Sequence, residues 1–103
     1  MAAHLDDFWL TELLPAAKNA LRIEAEITKY DDELRGLIRA CHSDIYGAGA
    51  DEPIRDGERF RMAAILYCKA YFGEGDERFE KSYQMLRDSM ASSGECRVKY
   101  YEF

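Results

Sequence analysis

The stretch that decides the fold is "YDDELRGLIRACHSDIYGAG", residues 30–49. Its large apolar residues recur with the 3.6-residue period of an α-helix, which predicts one amphipathic helix with a single buried stripe. Asp31 or Asp32 is the predicted N-cap, because acidic side chains suit the positive end of the helix dipole. Gly47 and Gly49 predict the end of the helix. The stripe consists of Leu34, Leu37, Ile38, Cys41 and Ile45.

Three further helices are predicted around this one. The first spans about residues 11–22, with Thr11 as its N-cap and Pro15 near its first turn, where proline is tolerated. Residues 4–10 could extend it. The third spans about 57–72. The fourth spans about 76–91, with Asp76 as its cap and an apolar stripe of Phe79, Tyr83, Leu86 and Met90.

The pattern as a whole predicts an all-α protein. A chain of 103 residues makes a single domain, and apart from its last nine residues it shows no pattern typical of strands. We therefore expect a bundle of four to five helices over residues 1–94. The segment "ECRVKYYEF", residues 95–103, is predicted to be a non-helical C-terminal arm.

The third helix has two apolar faces. At 100° per residue, one face carries Phe60, Ala63, Ala64, Tyr67, Cys68 and Tyr71, and we expect it to face the core of the chain. The opposite face surrounds a lysine with large apolar residues, and a helix that is apolar all round is normally buried. This second face is a predicted subunit or partner interface, formed by Met62, Ile65, Leu66, Lys69 and Phe72.

Lys69 has two interpretations. A lysine in an apolar setting can act as a nucleophile or base. More commonly, its stem lies on apolar neighbours while its amine reaches water or a carboxylate. No substrate-binding motif accompanies Lys69, so the second interpretation is preferred.

Charge and composition exclude several classes of function. The net charge is −6, and neither half of the chain is basic, so no footprint for gripping nucleic acid is present. No apolar run is long enough to cross a membrane. The N-terminus lacks the pattern of a secretory signal, so we expect the protein to be made and kept in the cytosol.

No motif for a cofactor, a metal ion or catalysis occurs. The sequence contains no phosphate-binding glycine loop, no nucleophile elbow and no metal-ligand spacing of Cys or His. Cys41 and Cys68 are predicted to be buried apolar residues, and Cys96 to be exposed. His42 is expected at the edge of the second helix. The acidic residues Glu24, Glu26, Asp31, Asp32 and Glu33 are interpreted as a solvated loop and helix start. We expect no enzyme activity.

The C-terminal arm is a candidate for partner binding. Its apolar residues either fold back on the bundle, or dock on another subunit or on the edge of a partner's sheet. Both interpretations stay open. The residues concerned are Val98, Tyr100, Tyr101 and Phe103.

Three motifs in order resemble the head–tail connector family of tailed bacteriophages, small adaptors sometimes labelled DNA-packaging proteins. The resemblance covers about residues 13–90. The first motif, "K-x-x-L-R-I", is matched by Lys18, Leu21, Arg22 and Ile23. The second, "D-[DE]-x-L-x-x-L-I-x-x-A", is matched by Asp31 to Cys41. The third, "A-x-x-x-Y-x-K-x-Y-F-G", is matched by Ala63, Tyr67, Lys69, Tyr71, Phe72 and Gly73.

The resemblance implies an all-α subunit of a ring below the portal vertex in the virion. Such a ring extends the DNA channel, lets the genome pass without specific binding, and docks the next head-completion or tail protein. The implied partners are the portal protein, those proteins and further copies of this chain, while the subunit alone could be a monomer. No membrane, cofactor or catalytic residue is implied.

A small helical DNA-binding regulator is the alternative function. The second and third predicted helices could form a helix–turn–helix around a glycine-containing turn. The connecting loop is long for that motif, and the third helix is too apolar to enter a groove of DNA.

Overall fold

The computed structural model describes residues 8–49 and 58–93, which fold into four helices and contain no strand. These are α1 (Phe8–Ala20), α2 (Asp31–Gly49), α3 (Glu58–Tyr71) and α4 (Glu77–Ser93). The all-α prediction is confirmed. The predicted arm, residues 95–103, lies outside the described residues, as do residues 1–7. No helix in the described ranges is both long and apolar enough to cross a membrane.

Helix α1 begins earlier than predicted. It starts at Phe8, so Thr11 lies inside it and the predicted N-cap at Thr11 is wrong. Pro15 lies in the middle of the helix rather than in its first turn. Because proline has no N–H, it cannot donate the bond that the Thr11 carbonyl would accept. Pro15 is exposed, so its ring lies on the outer side of the helix.

The end of α1 is a tight left-handed turn. The Ile23 amide donates to the Lys18 carbonyl at 2.8 Å, and the Arg22 amide donates to the Asn19 carbonyl at 3.1 Å. This is the Schellman pattern, in which the residue after the helix adopts a left-handed conformation. Here that residue is Arg22, with φ of 63°.

Helix α2 starts at Asp31, and the Tyr30 carbonyl accepts its first helical bond, from the Leu34 amide at 2.9 Å. The N-cap is therefore Tyr30, and the predicted cap at Asp31 or Asp32 is wrong. The predicted stripe is confirmed: Leu37 is half-buried, and the fully buried members are Leu34, Ile38, Cys41 and Ile45.

Helices α3 and α4 form an antiparallel hairpin. Tyr71 contacts Glu80 near the connecting loop, and Arg59 contacts Ser89 at the other end. Gly75 adopts φ of 75°, and a Cβ atom there would collide with the Ala70 carbonyl oxygen. The loop between the helices therefore requires glycine at this position. Asp76 caps α4 as predicted, because its carboxylate accepts from the Arg78 amide at 2.9 Å.

All four helices contribute to one core. Cys41 and Cys68 are completely buried, as predicted. Tyr71, which was predicted to face the core, is instead 39% exposed, and its hydroxyl donates to the Glu80 carboxylate at 3.0 Å. The core consists of Leu10, Leu13, Leu14, Ala17, Leu34, Ile38, Cys41, Ile45, Phe60, Ala63, Ala64, Cys68, Tyr83 and Met90.

Candidate subunit interface

The side of α3 that points away from the core carries a shallow groove of about 210 Å³. Met62 is 56% exposed, whereas Ile65, Leu66 and Lys69 are half-buried. We call this surface the outer face of α3 and define it by the residues that line the groove: Glu58, Arg61, Met62, Ile65, Leu66 and Lys69. Four of the five helical residues predicted as an interface therefore lie together.

Phe72, the fifth helical residue of the predicted interface, does not line the groove. It follows the last residue of α3, and its ring meets the ring of Tyr30 edge to face, with 5.3 Å between centroids. Phe72 packs against the margin of the core, as Leu66 also does. The proposed interface therefore centres on Met62, Ile65 and Lys69. The arm residues predicted to join it, Val98, Tyr100, Tyr101 and Phe103, lie outside the described residues.

Lys69 makes an aromatic contact across the hairpin. Its ammonium nitrogen lies 4.7 Å from the centroid of the Phe79 ring, at the start of α4. Among residues 8–49 and 58–93, no acidic side chain forms an ion pair with it. The amine is thus held over a ring at the edge of the outer face of α3, where its charge is open to a partner carboxylate.

Among the residues whose burial the structure describes, the buried cation is Lys18, which the sequence analysis named in the first motif without predicting its burial. Lys18 is 6% exposed and lies in the last turn of α1. Its ammonium donates to the Ala25 carbonyl at 3.0 Å and to the Ile27 carbonyl at 2.6 Å. It also lies 3.0 Å from Oδ1 of Asp31. Two hydrogen bonds and one ion pair therefore compensate the charge of Lys18, although Oδ1 of Asp31 itself accepts no hydrogen bond.

A helical projection of α1 shows the pattern from which the burial of Lys18 could have been predicted. Lys18 lies four residues after Leu14 and three before Leu21, so it shares a face with apolar residues. A cleft of about 400 Å³ lies beside it, lined by residues of α1 and of the following loop, including Pro15 and Ile23. Because the Lys18 ammonium is buried and held by two carbonyls and a carboxylate, we assign it a structural role rather than a reactive one.

A second polar cluster joins α2 to α4. The Tyr83 hydroxyl donates to Oδ2 of Asp44 at 2.6 Å, and Arg87 donates to the same oxygen at 3.1 Å. Burial, aided by the neighbouring Cys41 and the bond to Asp44, raises the pKa of Tyr83. The hydroxyl therefore stays protonated and keeps donating. This cluster orients two helices and presents no reactive group.

The buried thiols are also unreactive. Burial raises the pKa of Cys68 to about 12 and raises the pKa of Cys41 further. Thiols attack as thiolates, so both remain inert near neutral pH. Within the described ranges, no group of three or more His, Cys, Asp or Glu side chains could hold a metal ion. Asp31, from the predicted solvated acidic cluster, is instead engaged by Lys18.

Comparison with known proteins gave no match among protein-family models, curated proteins or solved structures.

Proposed function

We propose that this chain is a head–tail connector subunit of a tailed bacteriophage or prophage. It forms a ring below the portal, extends the DNA channel and docks the next head-completion or tail protein. The observation that carries this proposal is the order of the three motifs along the chain. A contact within the fold supports it: Lys18 of the first motif pairs with Asp31, which opens the second.

The outer face of α3 supports a role in assembly. A subunit of a closed ring presents two different complementary surfaces to its neighbours. Met62 and Ile65 give α3 an apolar surface on the side opposite the core, next to the charged groups of Glu58 and Lys69. An apolar centre with a polar rim is typical of protein–protein interfaces.

The net charge of −6 suits a channel component. A surface that binds DNA through its phosphates requires clustered lysine and arginine. An acidic ring lets the genome pass without sticking, which agrees with a virion protein at the head–tail junction.

The fold gives little support to the alternative function, a DNA-binding regulator. Residues 50–57 separate α2 from α3, whereas a helix–turn–helix uses a turn of about three or four residues. The outer face of α3, which would have to enter the major groove, is largely apolar. A salt-dependent gel shift with duplex DNA would favour the regulator.

The decisive experiment mixes the purified chain with the portal protein of the phage or prophage whose genome encodes it. We expect mass photometry to show a complex of fixed stoichiometry and negative-stain images to show a ring on the portal. Absence of any association at micromolar concentrations would contradict the proposal.

Two matched variants test the role of the outer face of α3. Met62→Asp introduces a charge into this face, whereas Met85→Asp introduces the same charge on α4, where Met85 is 74% exposed. We expect ring formation to be lost or strongly weakened only with Met62→Asp. Equal assembly of both variants would remove this face from the interface while leaving the connector function intact.

A further inference from the structure

The cleft beside Lys18 is a second concave surface, separate from the outer face of α3. It has a volume of about 400 Å³, and none of its lining residues belongs to that face. Two apolar side chains of its wall remain accessible, because Pro15 is exposed and Ile23 is half-buried. A cleft of this size can receive a large side chain of a partner as a buried anchor.

The available polar groups of the cleft are chiefly acceptors. Glu24 is exposed, and its carboxylate forms no ion pair within the described ranges. Thr11 also lines the cleft, and Pro15 has no N–H to donate to its carbonyl. The ammonium of Lys18 is already engaged by two carbonyls and by Asp31. The cleft therefore favours an apolar group that is accompanied by positive charge.

The outer face of α3 carries groups of that kind. Met62 is 56% exposed, and Ile65, about one turn further along α3, is half-buried. Arg61 and Lys69 lie on the same face. Neither cation forms an ion pair with the residues that the structure describes. The face thus offers two positive charges beside an apolar centre, which complements the cleft in both charge and polarity.

The charges also favour one orientation of contact. Glu58 and Lys69 lie at opposite ends of the outer face of α3, separated by about 17 Å at a rise of about 1.5 Å per residue. Glu24 of another copy would repel Glu58 and attract Lys69. Because an exposed ion pair adds little affinity, the burial of Met62 and Ile65 supplies most of the binding, and the charges select the direction.

We propose that the outer face of α3 of one copy docks into the cleft beside Lys18 of the next copy. Met62 enters the cleft against Pro15 and Ile23, and Lys69 pairs with Glu24. Since the two surfaces share no residue, the contact is head-to-tail, and successive copies close into a ring if the rotation permits. That this ring surrounds a DNA channel rests on the proposed function, whereas the contact between copies does not.

The first test traps the contact as a disulfide between two variants of the full chain. Both carry Cys96→Ser, and the other native cysteines, Cys41 and Cys68, are buried. One variant has Asn19→Cys at the exposed rim of the cleft, and the other has Arg61→Cys, which leaves Met62 in place. At about 1 mM protein, where a complex with a millimolar Kd is partly formed, we expect oxidation to give mainly the mixed dimer.

The control for this test replaces Arg61→Cys with Met85→Cys on α4, which should give several-fold less mixed dimer with the Asn19→Cys chain. A single chain with both Asn19→Cys and Arg61→Cys should form a ladder of linked oligomers. Three results would overturn the proposal: equal yields with Met85→Cys, a predominance of dimers linked through two copies of Arg61→Cys, or a disulfide formed only within one chain.

A second test reverses the charges of the proposed pair. Glu24→Lys in the Asn19→Cys chain, or Lys69→Glu in the Arg61→Cys chain, should slow formation of the mixed dimer several-fold. Both reversals together should restore most of the rate, because opposite charges meet again. A rate that stays low, or that never changes, would contradict the pairing of Lys69 with Glu24.

Neither test uses a portal, so the two proposals fail separately. Mixed dimers without any portal complex would contradict the connector function alone. A ring on the portal without mixed dimers would contradict the docking of α3 into the cleft and leave the connector function in place.

Discussion

Lys18 and Lys69 occupy the same position in two helices, the last turn of α1 and the last turn of α3, but their surroundings are opposite. Lys18 is buried, and its ammonium donates to two carbonyls and lies 3.0 Å from a carboxylate oxygen of Asp31. Lys69 is half-buried and lies over an aromatic ring. In this chain, the segment that follows each helix, and not the helix itself, decides what its C-terminal lysine contacts.

The two loops differ in how they satisfy the end of the preceding helix. After α1, the loop of residues 21–30 folds back so that the carbonyls of Ala25 and Ile27 point at Lys18. After α3, the short loop closes on itself, and the Asp76 amide donates to the Ala70 carbonyl at 3.0 Å. In the described part of the chain, this second loop contributes no oxygen acceptor to Lys69, and the amine lies over the Phe79 ring instead.

Lys18→Met should produce the largest effect. It leaves the Asp31 carboxylate and two carbonyls without their shared donor in a partly buried site, and breaking a buried ion pair costs about 3–5 kcal/mol. We expect a loss of that size in the free energy of unfolding, measured by urea denaturation followed by circular dichroism. Lys29→Met, at an exposed lysine in the same loop, is the control and should change stability by less than about 0.5 kcal/mol. Equal losses of stability in both variants would show that the buried Lys18 contributes no more to the fold than the exposed Lys29, and would contradict its structural role.

Gly75→Ala tests the tight loop after α3. The new Cβ would collide with the Ala70 carbonyl oxygen, and alanine is strained at a φ of 75°. We expect destabilisation by about 2–3 kcal/mol in the same denaturation assay. Gly36→Ala is the matched control, because nothing lies within 4 Å of its Cβ position in α2. That change should stabilise the protein by about 0.5–1 kcal/mol. A loss at both positions would show that the strain at Gly75 is not the cause.

Arg22→Gly tests the turn after α1, and here we expect the substitution to stabilise the protein. Arg22 has a positive φ, which costs a residue with a Cβ atom more than it costs glycine. The gain is partly offset by the greater freedom of glycine in the unfolded chain. We therefore expect a stabilisation of about 0.5–1 kcal/mol, seen as a higher denaturation midpoint. A loss of stability would mean that the Arg22 side chain contributes more than the strain removes.

Lys69→Met should produce the smallest effect on the folded subunit. It replaces a cation over the Phe79 ring with a thioether that also packs well on aromatic rings. We expect a change in unfolding free energy below about 0.5 kcal/mol. A loss above 1 kcal/mol would place Lys69 with Lys18 as a structural cation.

Periodicity was enough to predict the four helices and most of the core. The stripe from Leu34 to Ile45 is regular, and the Asp76 cap has a local sequence signature. The start of α1 was mispredicted because Pro15 was taken as a first-turn residue, whereas the helix continues through it. Tyr71 was assigned to the core from its angle on the helix, but its hydroxyl reaches Glu80 at the surface.

The candidate site was only partly predictable for a related reason. Met62, Ile65, Leu66 and Lys69 share a face through helical spacing alone, so their grouping follows from the sequence. The exclusion of Phe72 depends on the path of the chain after α3, which brings it to Tyr30. The partners of Lys18 are two backbone carbonyls, and their direction depends on loop geometry that residue types do not encode.

The hydrogen bonds from Lys18 to the loop of residues 21–30 also affect how easily that loop opens locally. Residues 24–29 are exposed and contribute nothing to the buried core cluster. Their order therefore depends on backbone bonds and on one ammonium group rather than on apolar burial. In native-state hydrogen exchange, such a segment opens as a small cooperative unit at a free energy below that of global unfolding. Loss of the Lys18 ammonium should therefore make the link between α1 and α2 open more often while the rest of the bundle stays closed.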